Sequence, residues 1–307
     1  MTYEHKTLWD YGKYAPRTPL SGHVLVGVDG SAEAARALDR AVAEAQARRT
    51  PLEILHGWPW ARHGTSEPPR GADEGTHSLL DRAHGVLQTA VAQARERAPG
   101  LRLTATLSPQ PVAAELVRRG RNAALTVIGS RGLGEITGLT AGSVGWRVAA
   151  HCASPLLVVR GETAYGWLEH GTVLVGVATD LDTEATRFAF GEARLRGARV
   201  RVLHACAVPV PAGTAPPADA GAVVRRRAAV PGRAVAALHG KYPEVEVETD
   251  TVWGGATQAL VEATRAADAV VITAHRRPGQ RPGSRLGPVT HALLHHAHCP
   301  VFLVPAP

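Results

Sequence analysis

The feature that most constrains this chain is an internal repeat. "HVLVGVDGS" at 23–31 returns as "TVLVGVATD" at 172–180, and "LEILHG" at 52–57 as "VRVLHA" at 200–205. Further on, "ALTVIGSR" at 124–131 returns as "AVVITAHR" at 269–276, and "HCASPLLVV" at 151–159 as "HAHCPVFLV" at 296–304. A spacing of about 145 residues is far longer than a solenoid unit and fits a duplicated domain. The chain is therefore divided into an N-terminal extension (1–22), a first domain (23–160), a linker (161–171) and a second domain (172–307). Each half is long enough to bury its own core.

Within the first copy, strands and helices alternate. Val24–Val28 is a short β-branched run, and Ser31 offers its hydroxyl as the N-cap of a helix reaching about Arg49. Leu52–His56 is a second strand. From Ser78 onward, Leu79, Leu80, Ala83, Val86, Leu87, Ala90, Val91 and Ala94 recur at intervals of three and four, which predicts an amphipathic helix. A strand over Leu101–Leu107, a helix over Val112–Arg119, a strand over Leu125–Ile128, a helix over Ser143–His151 and a strand over Leu156–Val159 complete the copy. Five strands alternating with four helices predict an α/β domain: a five-stranded parallel, doubly wound sheet covered on both faces. The second copy is expected to repeat this order.

Composition narrows the function classes. A net charge of +7 permits an anionic partner, but most basic residues are arginines scattered beside acids on helices. Even the run Arg225–Arg227 reads better as a loop or helix start than as a nucleic-acid arm, so no nucleic-acid partner is expected. Cys152, Cys206 and Cys299 lack metal or disulfide spacing and read as core filling. No apolar run approaches the roughly 18 residues of a membrane span, and the first residues lack a secretory h-region. The expectation is a cytoplasmic protein without a membrane partner.

The chemistry gathers in "IGSRGLGEITGLTAGSV", 128–144, where Gly129, Gly132, Gly134, Gly138 and Gly142 interrupt a strand-to-helix connection. A loop with little side-chain bulk lets backbone N–H groups approach an anion, and the following helix adds unpaired donors and its positive end. Asp29, at the carboxyl end of the first strand, would face that loop if the first and fourth strands flank the switch point of the sheet. After the second strand of each copy, "GWPWARHGTSEPPRGADEG" (57–75) and "CAVPVPAGTAPPADAGAVV" (206–224) leave the same edge as long loops that could serve as lids.

These residues resemble the universal stress protein family in its tandem-domain form. "VGVDGS" at 26–31 and Gly129-x2-Gly132-x9-Gly142-Ser143 match the pattern of its ATP-binding branch, complete in the first copy. The resemblance implies two Rossmann-like (adenine nucleotide alpha hydrolase-like) domains that pair through their last strands, within one chain or as a homodimer. It also implies ATP, with Mg2+ on the phosphates, held by Gly27, Val28, Asp29, Gly129, Arg131, Gly132, Gly142, Ser143 and Val144.

The second copy departs from the pattern. Ala178 stands where the first has Asp29, Thr273 and Arg276 where it has Gly129 and Gly132, and Pro288, which has no N–H, where it has Ser143. Each lost charge-assisted hydrogen bond is worth about 1.5–3 kcal/mol, so two losses weaken binding roughly a hundredfold or more. ATP is therefore expected in the first copy only. His291, His295, His296 and His298 could include a metal pair at i and i+4, but their apolar neighbours favour an ordinary packed helix. Arg276, Arg277, Arg281 and Arg285 could take another anion or form a solvated loop. The expected function is an ATP-binding stress-response sensor or regulator without a dedicated catalytic residue. The alternatives are a slow ATPase or phosphotransfer enzyme, for which no Walker-type Lys or general base is visible, and a nucleotide-free interaction module.

Overall fold

The computed structural model describes residues 20–57, 74–130, 143–160, 169–206, 220–275 and 286–306; the N-terminal extension and most of both long loops lie outside the described residues. The first copy runs β1 (His23–Val28), α1 (Ala32–Arg48), β2 (Leu52–Gly57), α2 (Glu74–Arg97), β3 (Leu103–Ser108), α3 (Val112–Gly120), β4 (Ala123–Gly129), α4 (Ser143–His151) and β5 (Leu156–Val159). The second runs β6 (Thr172–Gly176), α5 (Thr183–Arg196), β7 (Arg199–Cys206), α6 (Ala220–Ala228), α7 (Val230–Ala236), β8 (Val247–Trp253), α8 (Ala256–Ala263), β9 (Ala269–Ala274), α9 (Pro288–His296) and β10 (Val301–Pro305).

The second copy does not simply repeat the helix order. Where the first has the continuous α2, the second has α6 and α7, broken at Ala229 just ahead of Pro231. Proline has no N–H for an intrahelical bond and is tolerated only in a first turn, so the chain must start a new helix there. Arg225–Arg227 consequently occupy the last turn of α6, rather than a loop or helix start, where cations face the negative end of the helix.

The two copies share one ten-stranded sheet, ordered β3-β2-β1-β4-β5-β10-β9-β6-β7-β8. Every pairing is parallel except the central one, where β5 and β10 run antiparallel with Val301 opposite Val158 and Leu303 opposite Leu156. The last strands thus pair within a single chain. Alternate residues of β5 enter different cores: Leu157 and Val159 join one apolar cluster, Leu156 and Val158 the other. Each cluster contains residues from both copies, so burial is continuous across the junction on both faces. Cys152, Cys206 and Cys299 are buried, and none of them forms a disulfide.

Side chains lock the junction as well. On one face, α1 and α5 cross-link: Glu44 binds Arg48 and Arg196, and Glu192 binds the same two arginines. Burial pushes the Glu192 carboxyl above its usual range against the pull of Arg196 and Arg48. On the other face, Trp146 of α4 stacks on His291 of α9 at 4.9 Å between ring centroids. Arg160, just past β5, donates to the carbonyls of Leu294, His295 and Ala297, which the end of α9 leaves without intrahelical partners. Where the chain enters the second copy, the Asp268 carboxylate accepts from the backbone N–H groups of Glu169, His170 and Thr172.

Candidate functional site

In the first copy β1 lies between β2 and β4, so the chain leaves β1 toward one edge and β4 toward the other. The crevice outside their carboxyl ends is the switch point at which doubly wound sheets take ligands. Asp29 follows β1 directly and is exposed; its Oδ1 accepts from the Ser31 N–H at 2.9 Å. Ser31 caps α1 by accepting from the Ala34 N–H at 3.1 Å. His56, at the end of β2, donates from Nδ1 to the Val28 carbonyl at 2.7 Å and fixes the end of β1 on its other side.

The glycines of this site divide by cause. A Cβ at Gly27 would lie 3.1 Å from Leu116 of α3, and one at Gly176, its counterpart, 2.9 Å from Leu260 of α8. Glycine is kept at this position in both copies, so close helix–sheet packing accounts for it. At Gly129 a Cβ would lie 2.8 Å from the carbonyl oxygen of Glu33. That glycine lets the first turn of α1 rest against the end of β4. Arg131, Gly132 and Gly142 lie outside the described residues; Ser143 is the first residue of α4, and Val144 is exposed.

The second copy arranges the same strand ends differently. Aligned on the glutamates of the junction, Glu44 and Glu192, α5 starts three residues later than α1, at Thr183 rather than at the equivalent of Ala32. The turn of helix that would collide with a side chain at the end of β9 is absent, and Thr273 replaces Gly129. Asp182, the N-cap residue of α5, turns its carboxylate away from its own helix. Oδ2 accepts from the N–H groups of Ala178 (2.8 Å) and Thr179 (3.0 Å), beyond β6. Oδ1 accepts from the Thr273 hydroxyl of β9 (2.7 Å) and lies 3.1 Å from Nε2 of His275. His204 donates to the Val177 carbonyl at 3.0 Å, as His56 does to Val28.

The sequence profile of the universal stress protein family matches residues 21–160 and again 170–305. The chain belongs to the universal stress protein family. A universal stress protein of Mycobacterium tuberculosis is 26% identical over 302 residues, covering 92% of this chain and 95% of the relative. Another from that organism is 37% identical over 142 residues, 46% of each chain. A universal stress protein crystal structure from Archaeoglobus fulgidus covers 92% of this chain and 96% of its own at a TM-score of 0.65 and 15% identity, a likeness of fold. Another solved universal stress protein, in complex with cAMP, matches 46% of this chain and 97% of its own at 24% identity and a TM-score of 0.36.

The loss of Asp29 at Ala178 predicted a crevice without a carboxylate, but Asp182 brings one in from four residues further on. The visible signal was the acid in "TDLDTEA", where the first copy has the capping Ser31; its direction of bonding was not visible. The paired His56 and His204 also escaped notice as site-shaping residues, although "LEILHG" and "VRVLHA" marked them. His291 and His295 lie with ring centroids 4.5 Å apart beside Trp146, as parts of the junction. Among the described residues no three His, Cys, Asp or Glu side chains converge as a metal site, and no helix is long and apolar enough to cross a membrane. Arg276, Arg277, Arg281 and Arg285 lie outside the described residues.

Proposed function

We propose that this universal stress protein binds an adenine nucleotide, ATP, in its first copy only, and acts in the cytoplasm as a nucleotide-dependent stress-response regulator. The observation that carries the reading is the pairing of an exposed Asp29 with the complete Gly129-x2-Gly132-x9-Gly142-Ser143 spacing across one switch point. The residues fit the group in kind. Asp29 offers an acceptor to sugar or base, Gly132 and Gly142 keep side chains off the phosphates, and α4 begins at Ser143 with its unpaired N–H groups and a hydroxyl. Gly27, Val28, Gly129, Arg131 and Val144 complete the proposed lining. Mg2+ would ride on the phosphates, as it commonly does at nucleotide sites.

Titration calorimetry of the full chain tests this. One ATP per chain is expected, with binding abolished in Gly132→Asp, which sets a carboxylate against the phosphates, and weakened in Asp29→Ala. Two equivalent sites, or full affinity in both variants, would overturn it. Turnover above trace that is lost with Asp29 would move the reading to an enzyme.

A further inference from the structure

The most thoroughly bonded carboxylate at a switch point belongs to the copy that lost the nucleotide pattern. Asp182 is 4% exposed and spans the carboxyl ends of β6 and β9, the counterparts of β1 and β4. Two backbone N–H groups, one hydroxyl and one imidazole surround its two oxygens at 2.7 to 3.1 Å, and they come from both sides of the crevice. Donors converging from separate elements on a single anion are how a protein recognises an external carboxylate or phosphate. Asp182 does not cap its own helix, so local helix chemistry does not explain its direction. Thr273 has no room in the first copy's arrangement, because a Cβ at the equivalent Gly129 meets the Glu33 carbonyl. The late start of α5 and the Thr273 hydroxyl therefore belong together as parts of one built site.

We propose that the ends of β6 and β9 form a carboxylate-recognition site that the chain occupies with its own Asp182, closing the second crevice to external anions. The tethered side chain acts at a high effective concentration, so it competes strongly with any free anion for these donors. If the second copy excludes nucleotide, as the proposed function has it, missing glycines are then only half of the reason; its anion donors are already engaged. Because the inference concerns the second copy alone, it stands whether or not the first binds ATP.

Chemical rescue in the full chain tests it. Asp182→Ala is expected to lower the melting temperature by roughly 5–10 °C. Sodium formate should restore part of the loss, and sodium chloride at equal ionic strength should not. Wild type should show no such formate effect, and Asp182→Asn should lose stability without rescue, because its amide fills the space. An unshifted melting temperature in Asp182→Ala, or equal effects of formate and chloride, would overturn the proposal. Should Asp182→Ala not fold, hydrogen exchange in Thr273→Val decides. The amides of Ala178 and Thr179 should exchange roughly tenfold faster than in wild type, and unchanged exchange would sink the idea.

Discussion

At the ends of β1 and β4 the first copy has an exposed Asp29 and a glycine; at the ends of β6 and β9 the second has a buried Asp182 held by donors from both strands. The strands are in the same order in both copies and the packing glycines, Gly27 and Gly176, are the same. What differs is where the helix after the first strand begins. A helix that starts early presses its first turn on β4 and demands glycine there; one that starts late leaves room for a threonine and a carboxylate. In a duplicated domain, a shift of less than one turn of helix separates a strand end that needs glycine from one that holds a threonine bonded to a buried carboxylate.

The comparison can be broken first at the junction, where the copies should behave alike. Glu44→Ala leaves Arg48 and Arg196 to share Glu192 alone in a buried setting and is expected to cost about 3–5 kcal/mol in denaturant unfolding. Glu192→Ala should cost a similar amount; a large disparity would show that the pseudo-symmetric pairing is not shared equally. Giving the first copy the second copy's residue, Gly129→Thr, should destabilise by about 1–3 kcal/mol, because the new Cβ meets backbone rather than a yielding side chain. A neutral Gly129→Thr would mean that α1 moves freely and that the contrast between the copies is shallow. Thr273→Val, which removes one donor from Asp182, should cost about 1–2 kcal/mol in the same measurement.

The smallest expected effect is in acid. Burial alone would raise the Glu53 carboxyl, but the His23 imidazole 3.1 Å away and the Arg119 charge outweigh it and hold it below its usual range. A depressed folded value adds stability above the unfolded value near 4.5 and loses it as pH falls through the lower folded value. The first copy should therefore weaken below that pH, by at most about 1.4 kcal/mol per unit for one proton, and Glu53→Gln should lessen the slope, leaving the part due to Glu115, which Arg118 and Arg119 also hold below its usual range against its burial. The second copy has Arg201 at the equivalent position, paired with Asp250 at 2.8 Å, and should lack the Glu53 contribution. Glu192 carries the opposite sign. Its raised value adds stability that is complete below the unfolded value and falls away as pH rises through the folded one. Melting curves of wild type and Glu53→Gln from pH 3 to 7, resolved by copy through hydrogen exchange, separate the two.

Much of the scaffold was legible in the residues. The helix over Ser143–His151, the strand over Leu156–Val159 and the Ser31 cap coincide with the structure, because periodicity and capping are local signals. The helix expected from Ser78 starts earlier, at Glu74, where the apolar spacing gave no mark, and the break between α6 and α7 went unread although Pro231 stood in the sequence. At the candidate site, the strand-end position of Asp29 was legible from its neighbours. The cause of Gly129 was not, since it depends on a carbonyl in a helix nearly a hundred residues earlier.

The sequence by itself determined that there are two α/β copies, that their central strands are buried on both faces, and that only the first has the full glycine spacing. Repeats, periodicity and composition suffice for that, since each is written in neighbouring residues. Only the tertiary structure decided that β5 and β10 join the copies into one sheet, that two glutamates and two arginines bind across α1 and α5, and that Asp182 bonds beyond β6 and to β9 at once. Those outcomes depend on where separate elements meet in space, and burial gives hydrogen bonds and charges their strength only after the elements have met.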